Sequence, residues 1–78
     1  MYTLIRKNDG LKRKSPKKVW VEWNEDKTFK QRHLDPQIGR SLLFGDWLTT
    51  PVVEILEQGD NGYMHFKTEN SEYILIKN

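Results

Sequence analysis

The chain predicts a mainly β domain, a small SH3-like barrel or curled antiparallel sheet of five to six strands with at most a short helical turn. Three observations carry this. Apolar and polar residues alternate over short runs. The runs are rich in Val, Ile, Trp, Tyr and Phe, which suit a pleated, half-buried surface. Clusters of Gly, Asn, Asp and Pro punctuate them at close spacing. Curling such strands together leaves few edges open.

Taken in order, residues 2–6 (YTLIR) read as a short strand with Tyr2 and Leu4 on one side. Asn8-Asp9-Gly10 is a turn, because these residue types tolerate positive φ. LKRKSPKK follows. It is too charged to pack, and Pro16 turns Ser15 away from helix, so residues 11–17 read as a basic loop or an edge. VWVEW, residues 19–23, is the clearest strand, with Val19, Val21 and Trp23 alternating with Trp20 and Glu22. Residues 24–41 fit neither period well. A short strand is expected over 28–34, and a minor helical turn within 34–44.

Gly45-Asp46 marks a further turn, and Pro51 suits the start of a strand over 52–57. Gly59-Asp60-Asn61-Gly62 is a hairpin loop. Met64 and Phe66 alternate with Tyr63, His65 and Lys67; Tyr73 and Leu75 alternate with Ile74 and Ile76. Between these last strands lies Glu69-Asn70-Ser71, where Asn70 is the residue best suited to positive φ. The expected core is Leu4, Val19, Val21, Leu48, Val53, Ile55, Phe66, Tyr73 and Leu75, with one or two tryptophans.

At 78 residues this is one small domain, so its core has to do much with little. There is no cysteine, which removes disulfides and thiolate metal sites. Nine aromatics stand in for them, each removing roughly 150–250 Å² from water when buried. The 36% hydrophobic fraction is clustered in periodic runs, which argues against disorder. The start, MYTLIRKNDG, lacks the apolar region of a signal peptide, and no run reaches the ~18–20 apolar residues of a membrane span. Met1 and the lack of a tag suggest a complete short product. The expectation is a cytoplasmic protein, bacterial or viral, with no membrane partner.

The net charge of +2 hides an asymmetry. Residues 1–18 carry seven Lys and Arg against Asp9 alone, a net +6; residues 19–78 carry six against ten acids, a net −4. Lys12, Arg13, Lys14, Lys17 and Lys18 are therefore the candidate nucleic-acid contacts, since such cations neutralise phosphates, and Trp20 and Trp23 lie just downstream where bases would stack. The plainer alternative is a solvated charged loop that keeps the chain soluble and its edges apart. The acidic remainder, including Glu22, Glu25, Asp26, Asp35, Asp46, Glu54, Glu57 and Asp60, is a second possible docking face, for a basic protein.

Catalytic signals are missing. His33 lies two residues before Asp35, but two histidines do not make a four-ligand metal site, and His65 reads as part of a solvated strand face. Ser41 and Ser71 lack the G-x-S-x-G context of a nucleophile. The loop at 59–62 has no Lys-Ser/Thr after it, so it is not a phosphate loop. No catalytic residue, metal ligand or cofactor is expected, and the chain is expected not to be an enzyme.

GDWLTTPVVEI (45–55) followed by FKTENSEYIL (66–75) resembles a pattern in small uncharacterised proteins of tailed phages and their bacterial hosts. That pattern sets a Thr-Thr segment running into Val and Ile before a T-x-N-S-x-Y-x-L hairpin. The match covers roughly residues 42–76 and leaves out the basic segment. The resemblance implies a small SH3-like or related β domain and a phage or prophage accessory protein that acts by binding; it implies no activity and no site residue. The leading expectation is thus a non-catalytic protein-binding module, with Trp20 or Trp47 as the aromatic anchor. The alternative is nucleic-acid binding through residues 12–18.

Overall fold

The computed structural model describes residues 1–78 and contains nine strands and no helix. They are β1 (Tyr2–Arg6), β2 (Leu11–Ser15), β3 (Lys18–Trp23), β4 (Phe29–His33), β5 (Ser41–Phe44), β6 (Trp47–Leu48), β7 (Val52–Gln58), β8 (Met64–Thr68) and β9 (Glu72–Lys77). All pairings are antiparallel. They form a five-stranded sheet, β2-β1-β9-β8-β7, and a four-stranded sheet, β4-β3-β5-β6. No strand pair joins the two, so the expected closed barrel is replaced by two sheets with a common core. They are tied at one corner, where Val52 N donates to Arg40 O and Gly39 N to Val52 O, each at 2.8 Å.

Three strands exceed the expected number, and each has a reason. β2 has no apolar alternation, so the sequence reads it as a loop. It is a strand because the turn before it delivers it onto β1: Gly10 takes φ 75°, Asp9 accepts from Leu11 N at 3.1 Å, and pairing runs unbroken from Arg6↔Leu11 to Tyr2↔Ser15. β5 occupies the region where a helical turn is expected. Its SLLF is buried at Ser41, Leu42 and Phe44, and a strand covered on both faces shows no alternation to read. β6 follows it through a turn in which Gly45 takes φ 64°.

The core lies between the sheets. The first sheet supplies Leu4, Val52, Met64, Phe66, Tyr73 and Leu75; the second supplies Trp20, Leu42 and Phe44. A file of four rings runs through it: Trp20 meets Phe66 edge-on at 5.5 Å, Phe66 stacks on Tyr73 at 5.4 Å, and Trp47 meets Tyr73 edge-on at 5.8 Å. Such pairs contribute about 0.5–1.5 kcal/mol each beyond their area. The Phe66↔Tyr73 and Met64↔Leu75 pairings put the last hairpin's apolar residues on one face, as its alternation predicts.

Three expectations for the core change. Val53 is 50% exposed and Val52 is buried, because β7 bulges at Val53 and again at Leu56, which moves the inward positions to Val52 and the half-buried Ile55. Leu48 is 47% exposed, since it pairs with Leu43 on the outer face of the second sheet. Val19 pairs with Leu43 on that outer face and is only half-buried. Val21 and one tryptophan, Trp20, are buried as expected, but on opposite faces of β3, and only Trp20 enters the main cluster. The Glu69–Ser71 break is indeed a turn, but Asn70 does not take positive φ. Thr68 closes it instead: its N–H donates to Ser71 O (2.8 Å) and its hydroxyl accepts from Ser71 N (3.3 Å).

Candidate partner-binding edge

β2 is the outer strand of the five-stranded sheet, so Lys12, Arg13 and Lys14 stand on a sheet edge and all three are exposed. Their faces follow from the register. Arg13 lies opposite Leu4 and shares its face, turned toward the second sheet; Lys12 and Lys14 lie opposite Ile5 and Thr3 on the outer face. Beyond them the chain passes to the second sheet at Pro16. Ser15 holds that corner, its hydroxyl accepting from Lys17 N (3.2 Å) and donating to Lys17 O (2.8 Å). Lys17 and Lys18 flank the corner, and Lys18 Nζ sits 5.2 Å from the Tyr2 ring centroid. The structure therefore keeps all five candidate cations together, three along an edge and two around its end.

None of the five has a carboxylate partner. The ion pairs of this chain go elsewhere: Arg6 to Asp9 at 2.7 Å, Lys7 to Glu72 at 3.2 Å and Lys30 to Glu22 at 3.4 Å. Asp9 shows what such a partner does. Hydrogen bonds from Arg6, and then from the Leu11 amide, lower its pKa to about 2 from 3.8. The same pair raises Arg6 further.

Trp47 borders this edge and is half-buried. The Arg6 guanidinium lies 5.3 Å from its ring and Arg13 5.9 Å, with Tyr73 edge-on beneath. Cation–π contacts of this kind are worth about 0.5–1 kcal/mol at exposed sites. Arg6, Leu11, Arg13, Asp46 and Trp47 line an open hollow of about 370 Å³. Sequence reasoning missed Arg6 as part of this group, although its alternation with Tyr2 and Leu4 puts it on the inward face beside the turn.

The other proposed anchor is lost. Trp20 is 1% exposed and packs against Phe66, so it cannot meet a partner, and its indole N–H has no acceptor. Trp23 is half-buried at the end of β3 opposite Lys18, its indole N–H donating to Ser41 Oγ at 2.8 Å. It overlooks a separate open groove of about 470 Å³ shared with Lys27, Ser41, Thr49, Pro51 and Glu69. That groove holds one hydrophobic side chain and no nucleophile–base pair.

Both histidines are bound to glutamates. His33 Nε2 is 2.6 Å from Glu22 Oε1, and His65 Nε2 is 2.5 Å from Glu72 Oε2. These contacts, then the neighbouring Lys30 and Lys7, depress both glutamate pKa values. They are cross-strand pairs that brace a sheet face. No group of three or more His, Cys, Asp or Glu side chains stands close enough to hold a metal ion, and no helix is long and apolar enough to cross a membrane. Comparison of the chain with family models, curated proteins and solved structures finds no match.

Proposed function

We propose that the chain is a non-catalytic binding module that docks a carboxylate-bearing protein partner on the β2 edge. The carrying observation is that five exposed or corner cations, Lys12, Arg13, Lys14, Lys17 and Lys18, follow one another along one edge and its end, and none forms an ion pair, whereas Arg6, Lys7 and Lys30 do. Trp47, framed by Arg6 and Arg13, is the aromatic member of that surface. Complementary charge speeds encounter and fixes which partner is accepted.

The same proposal includes a phage or prophage origin, a host-cytoplasmic setting and kinship with SH3-like domains, supported by the resemblance over residues 42–76. The residues that carry the resemblance are fold-determining in this chain. Thr49 Oγ1 accepts from Leu42 N at 2.9 Å, Thr68 closes the last turn, and Val52, Tyr73 and Leu75 are core. The resemblance thus speaks for a shared scaffold and says nothing of the basic edge.

Nucleic-acid binding is the second reading, and the same cations favour it. Against it, stacking on bases needs an open ring. Trp20 is buried and Trp47 already carries two guanidiniums, so phosphate contact would have to suffice. Fluorescence anisotropy separates the two, with a labelled glutamate-rich peptide and a labelled single-stranded oligonucleotide at matched salt. The peptide is expected to bind, and replacing Lys12, Arg13 and Lys14 together by Ala to weaken it by at least about tenfold, or ~1.4 kcal/mol. Tighter binding of the oligonucleotide, with a steep salt slope, would hand the edge to the second reading.

A further inference from the structure

We infer that the partner binds as an added strand: an extended, acidic segment of another protein pairs with β2 and becomes the sixth strand of the five-stranded sheet. The inference rests on the basic-edge reading above and adds the geometry of the complex.

The argument begins with the four edges of the two sheets, which are not equivalent. β6 is two residues long. β4 meets its neighbour through a register shift at Glu22/Trp23, and β7 carries two shifts. β2 alone is both five residues long and in unbroken register. An edge strand turns alternate N–H and C=O groups outward, ready for a new neighbour, and regular geometry is what a new ladder requires. On this edge, the Lys12 carbonyl takes a long 3.3 Å bond from the guanidinium of Arg13.

Charge then selects the occupant. Lysines along an edge ordinarily repel another strand. That repulsion acts on a second copy of β2, which would set Lys and Arg against Lys and Arg. The β7 edge of a second copy has the opposite sign at Glu54 and Glu57, but its bulges break the ladder it would have to offer. Self-pairing is therefore disfavoured on both counts. A carboxylate-bearing strand meets neither obstacle, since opposite charges directly across a pair are favourable.

The register also fixes the pattern of the guest. Lys12 and Lys14 face outward and Arg13 faces the Trp47 side. A matching strand carries carboxylates at three successive positions, the outer two for the lysines and the middle one for Arg13.

The test leaves the protein unaltered. The probe is a fluorescent peptide with three successive glutamates flanked by valine and threonine, made also in two forms N-methylated at alternate residues. N-methylation removes amide donors from one side of a strand. Strand addition predicts that one form loses at least about tenfold in affinity while the other binds like the parent. It also predicts that bound parent peptide slows amide hydrogen exchange in β2. If neither or both methylated forms lose affinity, strand addition is overturned while the basic edge stands. If the parent does not bind at low salt, the basic-edge reading fails as well.

Discussion

The two edges of the five-stranded sheet solve one problem by different means. β7 is blunted by shape: extra residues at Val53 and Leu56 interrupt its ladder and leave those side chains 50% and 41% exposed. β2 is blunted by charge: its ladder is regular, and Lys12, Arg13 and Lys14 stand along it. A bulge obstructs strands of any composition. Charge obstructs only those of like sign or none. The difference teaches that protection by charge, unlike protection by shape, is conditional on the composition of the strand that approaches.

Both edges hang on one core, so the largest effect should come from its centre. Phe66, fully buried between Trp20 and Tyr73, should cost about 3–5 kcal/mol when replaced by Ala, read by urea unfolding. A smaller loss would mean that the sheets do not share a core. Next comes the bulge. Val52→Ala should cost ~1.5–3 kcal/mol, whereas Val53→Ala should stay within about 0.5 kcal/mol of the parent. The reverse order would show a β7 without the bulge at Val53, and the comparison of edges would collapse.

The third prediction concerns association. Lys12→Val with Lys14→Thr leaves β2 regular but largely uncharged, and should produce concentration-dependent dimers in sedimentation experiments. Glu54→Val with Glu57→Thr on β7 should leave the chain as it was. Equal behaviour of the two variants would deny that shape and charge act separately. The smallest effect concerns Asp9, which lies in the turn leading into β2. Its folded pKa of about 2 lies below its ordinary 3.8. The stabilisation from its ionised form is therefore full above the ordinary value and fades as pH falls from there through about 2. The Asp9 carboxyl carbon shift should titrate near the lower value; a midpoint near the ordinary one would detach Arg6 from the turn.

The sequence made several strands and most of the core legible, for identifiable reasons. Where one face is buried, alternation reports it: Leu4, Phe66, Tyr73 and Leu75 are read correctly. Where a bulge shifts the period by one residue, alternation selects Val53 and misses Val52. Where both faces are covered, as in SLLF, no alternation exists and Leu42 and Phe44 are passed over. β2 is illegible as a strand because its pairing is dictated by the preceding turn rather than by its own side chains. Of the candidate site, the five cations could be gathered from their spacing. That Trp20 is inside, and that Arg6 and Arg13 converge on Trp47, depends on which face of each strand meets the second sheet, and this is a tertiary fact.

β1 lies between β2 and β9, so the first and last strands are neighbours in mid-sheet; the Thr3 hydroxyl bonds Asn78 across 75 residues of chain. This has a consequence for the order of folding. A two-stranded hairpin alone is marginal in water, and β1 gains its second in-sheet neighbour only when β9 arrives. During synthesis the basic edge is not backed by the full sheet until β9 has emerged. Refolding should accordingly be governed by distant pairing, on the order of milliseconds to seconds. Throughout that interval β1 offers an edge whose one charge is Arg6, and the cations of β2 beside it are what a nascent chain has to discourage the wrong neighbour.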